Sequence, residues 1–456
     1  MALHYISGIC GSGKTHYALT IIKANQQSIY CCPSILLQDE IEKNKLDVRF
    51  VTFNSKQSND GVSLAIQQHM NHDVRPASIT HEGFFNVTDW SSASRWTLFV
   101  DEAFQPVVAL PLFNAATTAS KQATLDIIEA TCSITIVGNR AIFEPKASCA
   151  DNIRRLANGT YDDMNFNNKN LTAFFSYLNS PNYRLSVATA DWLSFKMTAS
   201  RICIHADFNL DIFNRFKDVY FISAGFENSF LCNWAKQAGV HIEPDTNFKP
   251  RITAHTESVH GYYGFDNVAK LWSKNFFNKT NNTGKCNLVS YTNAVALHVG
   301  KRHVLTSINN GNKWPASMNI EAVKANCEGL NTYDKMSLVA LGAAYNWAPE
   351  FIDSLTGRGF DVDQQLRNNE LEKAYQIMLR TAIRKGGAIE VYAPTASLLE
   401  RLQQRSFPNM VIEQLPGMEF VKPIQKRVPM TAAERMKKCR ARKKHMAKLG
   451  VTGGLN

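Results

Sequence analysis

No stretch of this 456-residue chain is uninterruptedly apolar for the roughly 18 residues a membrane-spanning helix needs, so none is expected. No basic stretch precedes the first apolar run, so a secretory leader is not expected. Of the ten cysteines only Cys31 and Cys32 are neighbours, and none falls into paired zinc-ligand spacing. A reduced, cytoplasmic chain is expected. Short-period repeats are absent. Net charge is nearly absent too, except at one place. Eleven Lys and Arg against Glu434 give +10 between Val421 and Gly450, which leaves +1 of the total +11 for the other 426 residues. The remainder is globular in composition, 45% apolar and 20% charged, and long enough for two or three domains.

Gly8-Ile9-Cys10-Gly11-Ser12-Gly13-Lys14-Thr15 reads G-x-x-x-x-G-K-T, a phosphate-binding loop. An apolar run, Ala2 to Ile6, precedes it, and a helical pattern, Lys14 to Ala24, follows. This is the strand–loop–helix setting the motif requires. Gly8, Gly11, Ser12 and Gly13 let the loop amides turn toward phosphate oxygens. Lys14 is expected to reach the β- and γ-phosphates, and the Thr15 hydroxyl to hold Mg²⁺. Thr97 to Val100 is a continuous β-prone run, as suits a strand buried on both faces. It ends in Asp101-Glu102. Asp101 suits Mg²⁺, and Glu102 suits orienting and deprotonating an attacking water.

Strand-like runs at Ser28 to Cys32, Val48 to Phe53, Thr97 to Val100, Ser133 to Val137 and Val219 to Gly225 alternate with helical patterns, which predicts a parallel doubly wound sheet. Residues 145–200 are Asn-rich and read as a partly helical insertion. A second α/β set follows, with strands at Cys286 to Tyr291 and Ile389 to Tyr392 and helices at Met336 to Ala344 and Asn369 to Arg384. The break between the halves falls near Glu243 to Arg251, where Pro244 and Pro250 flank a polar stretch. The fold class is α/β, two RecA-like parallel-sheet domains in tandem: 1–245, carrying the insertion, and 250–405. A basic tail, 421–456, ends the chain. Thr431 with Glu434 forms a capping box ahead of a helix-forming run. Lys437, Lys438, Arg440, Arg442, Lys443 and Lys444 on that run suit phosphate backbones, which they attract by counterion release without reading sequence.

Residues 3 to 395 resemble a superfamily 2 helicase, of the compact kind carried by phages and plasmids. The loop and Asp101-Glu102-Ala103-Phe104 match the first two ATP-site motifs. Pro33-Ser34 and Thr80-His81 resemble two first-domain motifs that contact the nucleic-acid backbone, which implies that role for Ser34, Thr80 and His81. Ser223-Ala224-Gly225 resembles the Ser-Ala-Thr motif that links ATP hydrolysis to strand movement, with Gly225 where threonine is usual. Leu288 to Asn293 and Asn326 to Asn331 resemble two second-domain motifs, the latter with Asn331 where aspartate is usual. Gln376-Ile377-Met378-Leu379-Arg380-Thr381-Ala382-Ile383-Arg384 resembles the Q-x-x-x-R-x-x-x-R arginine-finger motif. Gln376, Arg380 and Arg384 are four residues apart, so one continuous helix puts them on one face. Guanidiniums on that face can cross a cleft to the γ-phosphate and stabilise transition-state charge.

The resemblance implies ATP and Mg²⁺ as cofactors and a single-stranded or partly duplex nucleic acid as partner, DNA favoured over RNA. It implies an ATP-dependent helicase replicating a mobile genome in a host cytoplasm, alongside replication proteins. Trp272, Phe276 and Phe277 are candidates for stacking on bases. A terminase-like packaging ATPase, a superfamily 1 helicase, an RNA helicase and a regulator with an inert ATP site share parts of the pattern. The Ser-Ala strand and the spaced arginines favour superfamily 2, and intact Lys14, Thr15, Asp101 and Glu102 favour an active site.

Overall fold

The structure is a computed structural model and describes residues 2–43, 47–55, 61–112, 118–159, 169–199, 202–266, 273–279, 286–309, 312–323 and 333–418. Trp272, the Asn326 to Asn331 motif and the basic tail lie outside these residues. In chain order the strands are β1 (Leu3–Ser7), β2 (Ser28–Cys32), β3 (Val51–Phe53), β4 (Ala77–Thr80), β5 (Thr97–Asp101), β6 (Val107–Leu112), β7 (Cys132–Val137), β8 (Arg140–Pro145) and β9 (Tyr183–Ala188). They continue as β10 (Ile202–Phe208), β11 (Asp218–Ser223), β12 (Glu243–Pro244), β13 (Val259–Phe265), β14 (His303–Ser307), β15 (Asn319–Val323), β16 (Leu338–Leu341), β17 (Ile389–Thr395) and β18 (Val411–Gln414).

Two of the three sheets are parallel throughout, and they are the two α/β domains expected. The first runs β12-β1-β11-β5-β2-β4-β3 and the second β15-β14-β16-β17-β13-β18. β2 and β5 are central and buried along their whole length, which is why they read as unbroken apolar runs. One face of the first sheet packs on an aromatic core that includes Phe84, Trp96, Phe213 and Phe221; Ile6, Leu19, Ile22 and Phe99 fill the other. Burying each such side chain contributes about 1.5–3 kcal/mol. β12 joins the edge of the first sheet beside β1, and Phe248 packs into its core. The polar stretch around Pro244 and Pro250 therefore closes the first domain before the chain crosses to β13.

The third sheet is antiparallel, β6-β10-β9-β8-β7, with its own core around Phe143, Phe174, Phe175 and Trp192. It occupies residues 107–208, wider than the 145–200 segment expected. Ser133 to Val137 is a strand, but it pairs as a hairpin with β8 and not in the parallel sheet. The β7–β8 turn is only Gly138 and Asn139 wide, too short for the crossover a parallel pair needs.

Four expectations in the second half are corrected. Cys286 to Tyr291 is not a strand but the start of a helix, Asn287–Val299. Its buried Leu288, Tyr291, Ala294, Val295 and Val299 recur at helical spacing, which a six-residue window hides. Met336 to Ala344 is not a helix; it holds β16, a wholly buried strand between β14 and β17. A doubly buried strand and a buried helix give the same apolar run. The helix expected over Asn369 to Arg384 spans Val362–Met378 and stops. Thr381 is extended, its hydroxyl donates to the Met378 carbonyl at 2.5 Å, and a short 3₁₀ turn, Ala382–Lys385, follows. Phe276 and Phe277 are core residues at 9% and 1% exposure, buried with Phe265 and Tyr291, so they offer no face to a base.

Candidate nucleotide site

The phosphate-binding loop joins β1 to the helix Lys14–Ala24. Gly11 and Gly13 adopt φ of +80° and +92°, a region that only glycine enters without strain. A Cβ on Gly13 would lie 3.1 Å from the Arg251 side chain, which would have to give by a few tenths of an ångström on top of the strain of the positive φ. Arg251 belongs to the stretch leaving the first domain, and its amide donates to the Ser12 carbonyl at 2.9 Å. Lys14 donates to the Gly8 and Ile9 carbonyls at 2.7 and 2.9 Å. Ser12 Oγ is buried without a protein partner. A glycine cradle, a lysine on its rim and a helix N-terminus behind it fit a polyphosphate.

Asp101 ends β5 and is buried. Its Oδ2 accepts from the Tyr30 hydroxyl at 2.6 Å, and the Thr15 side chain lies close enough to act on Tyr30. Burial pushes the Asp101 carboxyl up to about 6, against the Tyr30 hydrogen bond and the charges of Lys14 and Arg380. Thr15, Tyr30 and Asp101 thus gather hard oxygens beside the loop. Among the described residues no three His, Cys, Asp or Glu form a protein-only metal cage. The donor set suits Mg²⁺, which takes one or two protein oxygens and completes its shell with phosphate and water.

Glu102 follows with φ of +63°, left-handed for a residue that is not glycine. Such a conformation costs on the order of 1 kcal/mol or more and is held here by its amide, which donates to the Ile222 carbonyl of β11 at 2.7 Å. The bend turns the Glu102 carboxylate toward the second domain. There Gln376 Nε2 donates to Glu102 Oε2 at 3.1 Å and to Glu372 Oε1 at 3.2 Å, while Gln376 Oε1 is buried without a partner. A cavity of about 930 Å³ lies between the two parallel-sheet domains, lined among others by Gly8, Glu102, Ser223, Trp347, Gln376 and Arg405.

Gly8, Gly11, Ser12, Gly13, Lys14, Thr15, Asp101, Glu102 and Gln376 therefore come together. Arg380 sits in the turn after the Val362–Met378 helix, close enough for its charge to act on Asp101 and Cys10. Arg384 is exposed on the 3₁₀ turn and acts instead on Asp334, so the three finger residues do not share one helix face. The break at Thr381 is the physical reason. Ser34 and Thr80 lie at the ends of β2 and β4, where their hydroxyls cap the next helices by accepting from Leu37 and Gly83 amides. His81 bonds the Asp101 carbonyl at 2.9 Å and braces the acidic turn. Leu288 to Asn293 is helical, with Leu288, Tyr291 and Thr292 buried. Sequence reasoning missed Tyr30, Tyr375 and Glu372. Only the proximity of the last two to Gln376 could have flagged them.

No protein-family model matches the chain, and a search of curated proteins found no match. Solved structures of similar architecture include an XPD helicase, with TM-score 0.48, 10% identity and coverage of 91% of this chain and 96% of that one. Xpd4 of S. tokodaii has TM-score 0.46 and 11% identity, over 90% of this chain and 96% of its own. A variant of S. cerevisiae Dbp5 bound to RNA and ADP BeF3 has TM-score 0.35 and 11% identity, over 91% and 86%. At identities this low the chemistry has to be read from the chain's own residues.

Proposed function

We propose that this chain is an ATP-dependent nucleic-acid helicase or translocase of superfamily 2 type, hydrolysing ATP between its two parallel-sheet domains and moving along DNA in preference to RNA. The observation that carries the reading is the Gln376–Glu102 hydrogen bond, which puts the carboxylate best placed to activate water under the influence of the other domain. The loop amides and Lys14 bind the phosphates, and Thr15 and Asp101 hold Mg²⁺. A metal held there would supply positive charge to the phosphate oxygens. Glu102 accepts the proton of the attacking water. Arg380 lends positive charge from the second domain, with Arg384 reaching the site only if the cleft closes further. Opening and closing of the cleft moves the domains by hinge motion. The basic tail, through Lys437, Lys438, Arg440, Arg442, Lys443 and Lys444, supports a polyanionic track. Replication of a mobile genome is the proposed setting, on the resemblance of the motifs.

The test is ATP hydrolysis with and without single-stranded DNA or RNA, for the unmodified chain, Glu102→Gln and Arg380→Ala. Stimulation by one polymer is expected. Glu102→Gln should lower turnover by roughly 10²–10⁴, as loss of a general base does. Arg380→Ala should lower it by on the order of 10³. Turnover indifferent to both polymers overturns the helicase reading and points to a motor acting on another partner. No turnover at all makes the chain a regulator with an inert site.

A further inference from the structure

We propose that Arg405 is a positioning residue that couples three loops of the ATP site to the second domain. It lies near the end of the second-domain helix Ala396–Ser406, and its side chain is 18% exposed. Nη2 donates to the Ala224 carbonyl at 3.0 Å and to Glu372 Oε2 at 2.6 Å. The guanidinium lies over the Tyr375 ring, 4.4 Å from its centroid. Each of these three partners leads to a different first-domain loop. The Ala224 carbonyl is itself part of the turn after β11. The Tyr375 hydroxyl accepts from the Cys10 amide of the phosphate-binding loop at 3.0 Å. Glu372 accepts from Gln376, whose same nitrogen holds Glu102. One half-buried cation is thus within a few bonds of the ends of β1, β5 and β11, where a bound triphosphate would be handled.

The arrangement also accounts for Gly225. That residue has φ of +65°, and a Cβ built on it would come within 3.2 Å of Arg405 Nη2. Threonine, usual at this place in the motif that Ser223-Ala224-Gly225 resembles, would crowd the guanidinium. Lysine at 405 would keep the charge and a donor for the carboxylate or the carbonyl, but would lack the planar guanidinium that lies over the Tyr375 ring, so it should serve only in part.

The inference rests on the reading of the cleft as a polymer-stimulated ATPase, and its test separates the two. Polymer-stimulated kcat, the dissociation constant of a fluorescent ATP analogue and the thermal midpoint are measured for the unmodified chain, Arg405→Ala, Arg405→Lys, Tyr375→Phe and the double variant Arg405→Ala/Tyr375→Phe. Arg405→Ala is expected to lower stimulated kcat by about tenfold or more with analogue binding changed less than about threefold, the split of a residue that acts in the transition state rather than in binding. Arg405→Lys should recover only part of the loss. The double variant should lose less than the product of the single losses, since both side chains lie on one route. Should Arg405→Ala not fold, Tyr375→Phe keeps the ring and removes only the hydroxyl that the Cys10 amide reaches, and a stimulated kcat equal to that of the unmodified chain then overturns the proposal. A lowered thermal midpoint with unchanged stimulated kcat also overturns it, leaving Arg405 as a tie between two helices. An unmodified chain that no polymer stimulates brings down the helicase reading and the coupling role together. Stimulation that is intact in the unmodified chain and equally intact in Arg405→Ala brings down the coupling role alone.

Discussion

The second domain meets the rest of the molecule along two seams of opposite character. Beside the phosphate-binding loop the seam is polar: Tyr375 to Cys10, Gln376 to Glu102, Arg405 to Ala224. Away from the loop it is apolar and aromatic. Val107 of β6 packs with Phe351, Leu355, Val362 and Leu366 of the second domain, and Phe230, Trp234 and Phe360 close around them. Trp234 and Phe360 stack at 5.4 Å with their planes 1° apart. Arg358 seals this seam, donating to Asp207 of β10 at 2.9 Å and lying over the Trp234 ring at 5.2 Å. Of the polar contacts only Tyr375 to Cys10 is neutral and contributes about 1 kcal/mol net, because water offers the same bond; the two that involve a charge contribute about 1.5–3 kcal/mol each. Releasing buried aromatic surface has no such substitute, at about 25 cal/mol per Å². A cleft built this way is expected to open at the polar seam and pivot on the apolar one.

The largest effect that can break this comparison is Phe351→Ala, expected to cost about 3–5 kcal/mol in urea unfolding. Tyr375→Phe should cost only about 1 kcal/mol in the same assay. Equal costs would erase the distinction between the seams. Next is Arg358→Met, which leaves the partly buried Asp207 carboxylate with only the Ser186 hydroxyl and the charge of Arg140, and should destabilise by up to about 3 kcal/mol. Adding Asp207→Asn should return part of that loss, and strict additivity in the double-mutant cycle would show that the pair is not coupled.

A smaller effect is written in pH. His205, facing Ser354 and the charges of Arg358 and Arg140, has its pKa pulled down to about 3, by burial first and then by those two arginines. It stays neutral in the folded chain while the unfolded chain takes up a proton below about 6.5. The stability it gives is therefore full above about pH 6.5 and is lost as pH falls toward 3, with about 2 kcal/mol already lost at pH 5. Urea midpoints at pH 7.5 and 5 should diverge less in His205→Gln than in the unmodified chain. The smallest change is Gly225→Ala. At its positive φ the strain is about 1 kcal/mol. Stability should fall by only about that much, yet stimulated turnover should fall further if the polar seam transmits closure as proposed for Arg405.

Legibility differed from element to element for physical reasons. β2 and β5 are short apolar runs bounded by turn signals, and they were readable as strands. So were the loop after β1 and the acidic pair after β5, because both motifs are local in sequence. The second domain was harder. Leu338 to Leu341 is a strand and Leu288 to Val299 a helix, yet each begins as an apolar stretch whose period only longer context reveals. The spacing of Gln376, Arg380 and Arg384 suggested one helix face, and Thr381 broke it through a hydrogen bond that no spacing encodes.

By itself the sequence determined the glycine-rich loop after β1, the carboxylates beside it, the α/β class and the concentration of positive charge between Val421 and Gly450. Those depend on contiguous residues and on period. Tertiary structure alone decided which groups meet across the chain. Tyr30 reaches Asp101 over 71 positions, Gln376 reaches Glu102 over 274, and Tyr375 reaches Cys10 over 365. Such pairings follow from how two sheets pack, and packing is a property of surfaces that no single segment contains.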